Sequence, residues 1–270
     1  MNGLLRELAP ISERAWPRIE DEARAALGLT LAARKLVDFE GPLGWTVSSV
    51  DLHRVTHLDS GPGEGVEASV RQVRPMVELR IPFVLRRREL EAIDRGARDP
   101  ELDPVVQAAR TAAIAEDRAV FHGYGDGDIQ GIVESAPGEP KPISADYEEY
   151  PGLVAEAVEE LRTRGIEGPY AIALGPRCYT GLSTTIGRGG ELVIDQVRGM
   201  LEGPVVWAPG LDGALVLTTR GDDFRLSVGR DFSIGYTFHT ADEVHLYLQE
   251  SFTFVVHEPE AAVPLGYDAE

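Results

Sequence analysis

Residues 231–265, DFSIGYTFHTADEVHLYLQESFTFVVHEPEAAVPL, constrain the fold more than any other part of this chain. β-Branched and aromatic residues dominate the stretch, and one polar turn interrupts it. Residues of this kind suit a pleated, half-buried surface, so the chain must end in sheet. The stretch offers no evident nucleophile–base pair, so the role of so much strand has to be sought outside catalysis.

Helix is signalled most clearly by DPVVQAARTAAIAEDRAVF at 103–121. Asp103 can cap it and Pro104 can occupy the first helical position, where a missing N–H costs nothing. Val105, Ala109, Ala112, Ala113 and Ala119 allow close backbone packing along a rod of roughly 27 Å, at about 1.5 Å per residue. SERAWPRIEDEARAAL at 12–27 reads as a second helix, with Ser12 as cap, Gly28 as stop, and Ile19, Ala23, Ala26 and Leu27 on its apolar side. Pro17 bends that helix or delays its start to near Trp16. A short helical piece, TLAARKLV, follows, and a further helix is expected from about Leu153 to Arg164.

Between the first two helices, FEGPLGW (39–45) is a turn-rich break. Two extended runs follow, TVSSVDLHRV and ASVRQVRPMVELRIPFVL, joined by the polar glycine stretch DSGPGEG at 59–65. They read as a long hairpin in which Pro75 and Pro82 argue against central strand positions. A two-stranded arm is marginal alone, so it needs covering by another domain or another subunit. Further on, GPYAIAL, PVVWAP and GALVLTT read as strands. They are interleaved with PRCYTGLSTT as a short helix or turn and with VIDQVRGML as helix, which points to a compact α/β domain inside about 145–222.

The 270 residues hold 26 Lys and Arg against 45 Asp and Glu, a formal charge of -19. Such a surface opposes non-specific binding to nucleic acid or an anionic membrane. Cys178 stands alone, which excludes an intrachain disulfide or a multi-cysteine metal site. MNGLLRELAPISERAW has no apolar run of signal-peptide length and no later stretch approaches a membrane span, so a cytoplasmic protein is expected. The catalytic and metal motifs are thin. His53 and His57 share a face of a presumed strand, and Asp126 and Asp128 beside His122 have only the first spacing of a calcium loop. GEG at 63–65 and GRGG at 187–190 lack the phosphate-loop pattern, and no serine lies in GxSxG. Arg86, Arg87 and Arg88 are followed at once by Glu89 and Glu91, which reads as a helix start or an inter-subunit ion pair.

ARKLVDFEGPLGW (33–45), AEDRAVFHG (115–123), GIEGPYAIALG (165–175), GRDFSIGY and ESFTFVV (within 229–256) resemble the family 1 encapsulin shell proteins, collinearly over nearly the whole chain. The resemblance implies an α+β protein with the HK97-like fold of tailed-phage major capsid proteins. In that layout 1–45 is the N-terminal helix and cargo-groove segment of the peripheral domain. An extended loop follows at 46–83, then the peripheral domain with its spine helix at 84–135. The axial domain takes 136–222, and 223–270 returns as C-terminal strands of the peripheral domain. It also implies a self-assembling homo-oligomer, of 60 subunits or a larger shell, that encloses a cargo enzyme such as a ferritin-like protein or a dye-decolorising peroxidase. The cargo would be held by its C-terminal peptide. By this resemblance Leu31, Arg34, Asp38, Phe39, Asp231, Ile234 and Tyr236 form the peptide groove, with Arg34 and Asp38 fixing polar groups and register. Gly187, Arg188, Gly189 and Gly190 form a pore loop that admits small solutes. Some members bind flavin on the shell through a tryptophan after the returning strand. RIPFVLRRREL offers Arg87 or a neighbour there, so no cofactor is carried over. A DNA-packaging phage-like capsid and a soluble α/β hydrolase are the rival readings. The first would show nucleic acid at a fixed ratio in purified particles, the second a small oligomer whose turnover one carboxylate substitution abolishes.

Overall fold

The computed structural model describes residues 3–144 and 146–267. Helix α1 (Ala15–Thr30) starts where Ser12 Oγ accepts the Ala15 N–H at 3.1 Å. Pro17 falls in its first turn, where backbone N–H groups have no intrahelical partner, and is accommodated there. Gly28 does not stop the helix: the chain stays helical to Thr30, whose hydroxyl donates to the Ala26 carbonyl at 2.8 Å. The expected helical piece after it shrinks to a single 3₁₀ turn at Ala33–Lys35. The reason is a competing acceptor, because the Asp117 carboxylate takes the N–H groups of Ala32 and Ala33 at 2.9 Å each.

Strand β1 (Asp38–Glu40) precedes the hairpin of β2 (Ser49–His57) and β3 (Ser69–Pro75), a two-stranded sheet of its own. An irregularity between Asp51 and Val55 puts His53 at φ 56, so His53 and His57 do not share one regular strand face. The second extended run is not a single strand. It breaks at Met76, and β4 (Val77–Arg86) pairs with the C-terminal strand β11 (Glu243–Val256) rather than with β2. Pro82 lies opposite Tyr247 on β4, which has no other strand partner among the described sheets. An edge strand tolerates the missing donor.

Then come α2 (Arg87–Arg95), the 20-residue α3 (Asp103–His122), α4 (Ile132–Ser135), β5 (Lys141–Pro142), α5 (Tyr150–Thr163), β6 (Tyr170–Leu174), α6 (Pro176–Thr184) and α7 (Val193–Met200). Asp103 is not the cap of α3. Leu102 occupies the cap position, no side chain bonds there, and Asp103 contributes its charge from within the first turn. The chain closes with β7 (Val205–Trp207), β8 (Ala214–Thr218), β9 (Phe224–Val228), β10 (Ser233–His239), β11 (Glu243–Val256) and β12 (Ala262–Gly266).

Two five-stranded sheets organise these elements. One runs β1-β9-β11-β10, with β4 also paired to β11, and the other runs β5-β12-β8-β6-β7. VHLYLQES and FTFVV form one 14-residue strand, β11, which pairs with β4, β10 and β9 along its length. The segment 223–270 does not stay with the first sheet throughout. Ala262–Gly266 crosses into the second, where it lies between β8 and β5 and is buried from Ala262 to Leu265. Helix α3 joins the two cores. Val105, Ala108, Ala109 and Ala112 pack with α1, β4, β10 and β11, whereas Ala119, Val120 and Phe121 belong to the core of the second sheet.

Candidate functional site

Along α1, Glu20, Ala23, Arg24, Leu27 and Gly28 lie on one stripe at helical spacing, and Leu31 continues it past the end of the helix. That stripe faces Phe232, Ser233 and Ile234 at the start of β10, with Leu248 from β11 and Leu4 from the N-terminal segment. The chain reaches this place because Tyr236 N–H donates to the Leu4 carbonyl at 2.8 Å and Tyr247 Oη donates to the Gly3 carbonyl at 3.1 Å. The result is an open groove of about 430 Å³, apolar along its floor, with Arg6, Glu20, Arg24 and Asp231 among its lining residues.

One end of the groove is closed by Arg34. Its Nε donates to both oxygens of Glu116 at 2.9 and 3.0 Å, Nη2 donates to Glu116 at 2.6 Å and also to Glu250, and Nη1 donates to Asp231 at 2.9 Å. The guanidinium carbon lies 4.9 Å from the ring centres of both Phe39 and Phe232. Glu116 and Glu250 are fully buried, whereas Asp231 is 44% exposed. Burial, reinforced by the charge of Glu116, pushes the Glu250 carboxyl well above the usual carboxylate range. Among the described residues no donor reaches Glu250 Oε2. For Arg34, burial works to lower the pKa, but its carboxylate partners win and raise it. Beside it, burial pushes Asp117 up to about 7 although the Ala33 and Ala32 N–H groups pull the other way.

Four of the seven residues expected in the groove line it: Leu31, Arg34, Asp231 and Ile234. Phe39 adjoins them through its contact with Arg34. Asp38 does not line it. Its Oδ2 accepts the Asp222 N–H at 2.5 Å, and with Arg34 it borders a separate small polar hollow of about 180 Å³ near Thr218 and Thr219. Tyr236 is buried beneath the sheet edge, with its hydroxyl 2.6 Å from His239 Nδ1. Arg34 is also not the free donor that a register-fixing role requires, since four of its five N–H groups are engaged by carboxylates.

Leu4, Gly28, Phe232 and Leu248 were not anticipated, and nor were Glu116 and Glu250. The acids leave a trace in the sequence: Glu116 and Asp117 sit inside an alanine-rich helix, and Glu250 sits between apolar strand segments. Such placements call for a buried partner.

The glycine loop lies between α6 and α7. Gly187 and Gly190 close it, with Gly187 N–H donating to the Glu191 carbonyl and Gly190 N–H to the Gly187 carbonyl, 2.9 Å each. Gly190 has φ 83, which favours glycine. The Arg188 side chain is 93% exposed and its charge is partly offset by Glu148, 3.4 Å away. Cys178, buried, lies 3.0 Å from the Tyr267 hydroxyl, and no cluster of three His, Cys, Asp or Glu suited to a metal occurs among the described residues. No described helix is long and apolar enough to cross a membrane.

A family model described as an encapsulating protein for peroxidase matches residues 1–253. The chain is 54% identical to a type 1 encapsulin shell protein of Rhodospirillum rubrum over 270 residues, covering 98% of this chain and 96% of that one. It is 39% identical to a type 1 encapsulin shell protein of Mycobacterium tuberculosis, covering 99% of this chain and all of that one. Among solved structures, a virus-like particle from Pyrococcus furiosus superposes with TM-score 0.64 at 17% identity, covering 92% of this chain and 98% of that one. The capsid of an empty GTA particle does so with TM-score 0.55 at 15% identity, covering 89% and 97%, and a chain of Mycobacterium phage Bobi with TM-score 0.56 at 12% identity, covering 88% and 90%. The fold is therefore HK97-like, and by its full-length relatives this chain belongs to the type 1 encapsulin shell proteins.

Proposed function

We propose that this shell protein closes into a particle of 60 copies in the cytoplasm, and that the α1–β10 groove receives the apolar C-terminal peptide of a cargo enzyme. What supports the second half is the groove itself: an open trough whose floor is aliphatic, bordered by charged side chains and formed by a helix facing a sheet edge. A ferritin-like protein or a dye-decolorising peroxidase is the cargo class that fits the family. In this reading the β2–β3 hairpin within 46–83 reaches a neighbouring subunit, where the half-exposed Val55, Val70 and Val73 become covered, while Val77 onward stays in the chain's own sheet. The segment 136–222 meets its symmetry mates through the Gly187–Gly190 loop, which borders a pore for small solutes. No catalytic role is assigned. The groove is bounded by apolar groups and paired charges, an arrangement that binds rather than reacts.

The test starts with the purified chain, by light scattering and negative-stain microscopy. Hollow particles of about 1.8 MDa, the mass of 60 copies of a 29.4 kDa chain, are expected. A stable small oligomer at several salt concentrations and pH values would refute autonomous closure. Co-expression with a ferritin-like or peroxidase partner, with and without its C-terminal tail, then tests loading. Equal loading of the two forms would refute the groove's role.

A further inference from the structure

Three carboxylates converge on the single guanidinium of Arg34, from three different elements: Glu116 from α3, Glu250 from β11 and Asp231 from the loop before β10. Full ionisation would leave two net negative charges with two of the carboxylates wholly withdrawn from water, an arrangement that desolvation strongly opposes. Asp231 keeps contact with solvent and can stay charged. Glu116 holds both of its oxygens on Arg34 N–H groups and so is the acceptor of the pair. Glu250 places one oxygen on Arg34 Nη2, the same nitrogen that bonds Glu116, while among the described residues no donor reaches its buried Oε2. A buried carboxyl that shares one cation nitrogen with a second carboxylate and leaves an oxygen without a donor is where a proton belongs.

We propose that Glu250 carries a proton that it donates to Glu116, and that the two form the positioning pair for Arg34, so that the Leu31–Arg34 wall of the groove opens with release of that proton. The proton passes to solvent, because the exposed carboxyl is an ordinary glutamic acid. Burial and Glu116 raise the closed-state value of Glu250, so opening releases a proton at every pH between the ordinary glutamate range and that raised value. The wall is then firmest in mild acid and loosens as the pH rises. The other charged groups facing the cluster act in defined directions. Asp117, next to Glu116, holds the wall by accepting from Ala32 and Ala33 and titrates near 7 in the same sense. Lys35 works against the upward shift of Asp117. Arg230, next to Asp231, lies over the ring of Trp45 at 3.9 Å.

The inference rests on the groove reading only in taking this wall as the binding surface, and its test needs no cargo. Amide exchange over residues 32–37 of the purified protein is followed from pH 5 to pH 9, and the intrinsic base-catalysed rate is divided out. The wild-type residual should rise by about tenfold per pH unit more than that of Glu250→Gln, which keeps the shape and cannot titrate. Asp117 contributes to both chains and cancels in the comparison. Glu116→Gln should lose protection at every pH, because Arg34 loses its bidentate acceptor. Infrared spectroscopy of Asp117→Asn at pH 6, above the ordinary glutamate range, should show a buried protonated carboxyl, so the question stays answerable even if Glu250→Gln does not fold. Parallel pH slopes in wild type and Glu250→Gln, or no buried protonated carboxyl in Asp117→Asn at pH 6, would overturn the proposal. Cargo loading that fails for other reasons would leave both readouts unchanged.

Discussion

Gly28 sits in the last turn of α1 without a backbone reason to be glycine. It has no left-handed φ, and a Cβ built there meets nothing within 4 Å. Glycine at an interior helical position costs about 1 kcal/mol relative to alanine, so a side chain here should stabilise the helix. It lines the groove, so the vacancy is room for a ligand. Gly28→Phe is therefore expected to gain roughly 0.5 kcal/mol in helix propensity while its ring fills the trough between Leu31 and Ile234. If the ring displaces one aliphatic side chain of a bound peptide, the loss is about 2 kcal/mol, or roughly thirtyfold in affinity. Loading should be read with a monomeric fluorescent protein carrying a glycine- and leucine-containing C-terminal tail, because an oligomeric cargo engages several grooves and masks the loss through avidity. The expected result is particles of normal size and equal or higher thermal stability, with fluorescence per particle strongly reduced and Gly28→Ala intermediate. Full loading of Gly28→Phe particles would refute the assignment of this trough as the peptide seat. A loss of stability would refute the claim that the space is open.

Replacing Arg34 by Leu leaves Glu116 and Glu250 buried without their cation and should cost about 3–5 kcal/mol, seen as a lower denaturation midpoint. Adding Glu116→Gln and Glu250→Gln should recover part of that loss. Asp117 has its folded-state value raised from 3.8 to about 7, so its contribution is favourable at low pH and is lost as the pH climbs through that window. About three units correspond to about 4 kcal/mol, and Asp117→Asn should flatten the fall in urea midpoint between pH 4 and pH 7.5. Val70→Asp, on the exposed hairpin, should leave the circular dichroism spectrum unchanged while the particle fraction in light scattering falls, since it charges a surface proposed to be covered by a neighbour.

Local patterns wrote most of the elements into the sequence, whereas pairings between distant segments stayed illegible. The alanine periodicity of 103–121 specifies a helix because packing close to other backbones requires small residues at helical spacing, and the helix is there. The stop at Gly28 fails because glycine signals an end only where the chain needs a left-handed residue, and here the turn after Leu31 is held by Asp117, which accepts the Ala32 N–H from 85 residues away in sequence. Pleat periodicity carries no partner information, so the sequence alone makes the second extended run half of a hairpin. Val77–Arg86 finds its ladder on residues 243–252 of β11, far away in sequence.

The same distinction runs through the site. Leu31 and Ile234 are apolar residues at the edges of recognisable elements, and their meeting follows once α1 lies against β10. Tyr236 and Ile234 are two residues apart and so project to the same side in a regular strand, yet the tyrosine hydroxyl turns to His239, just past a register shift, and misses the groove. Arg34 was legible as a residue and not as a charge state. Its apparent freedom to bind a polar group disappears once Glu116 and Glu250, each unremarkable in its own segment, are brought onto it from α3 and β11. A groove built this way presents apolar shape and little free charge from Arg34. If the groove is the peptide seat proposed above, selection comes mainly from the fit of aliphatic side chains beside Gly28, and raised salt should weaken loading only slightly.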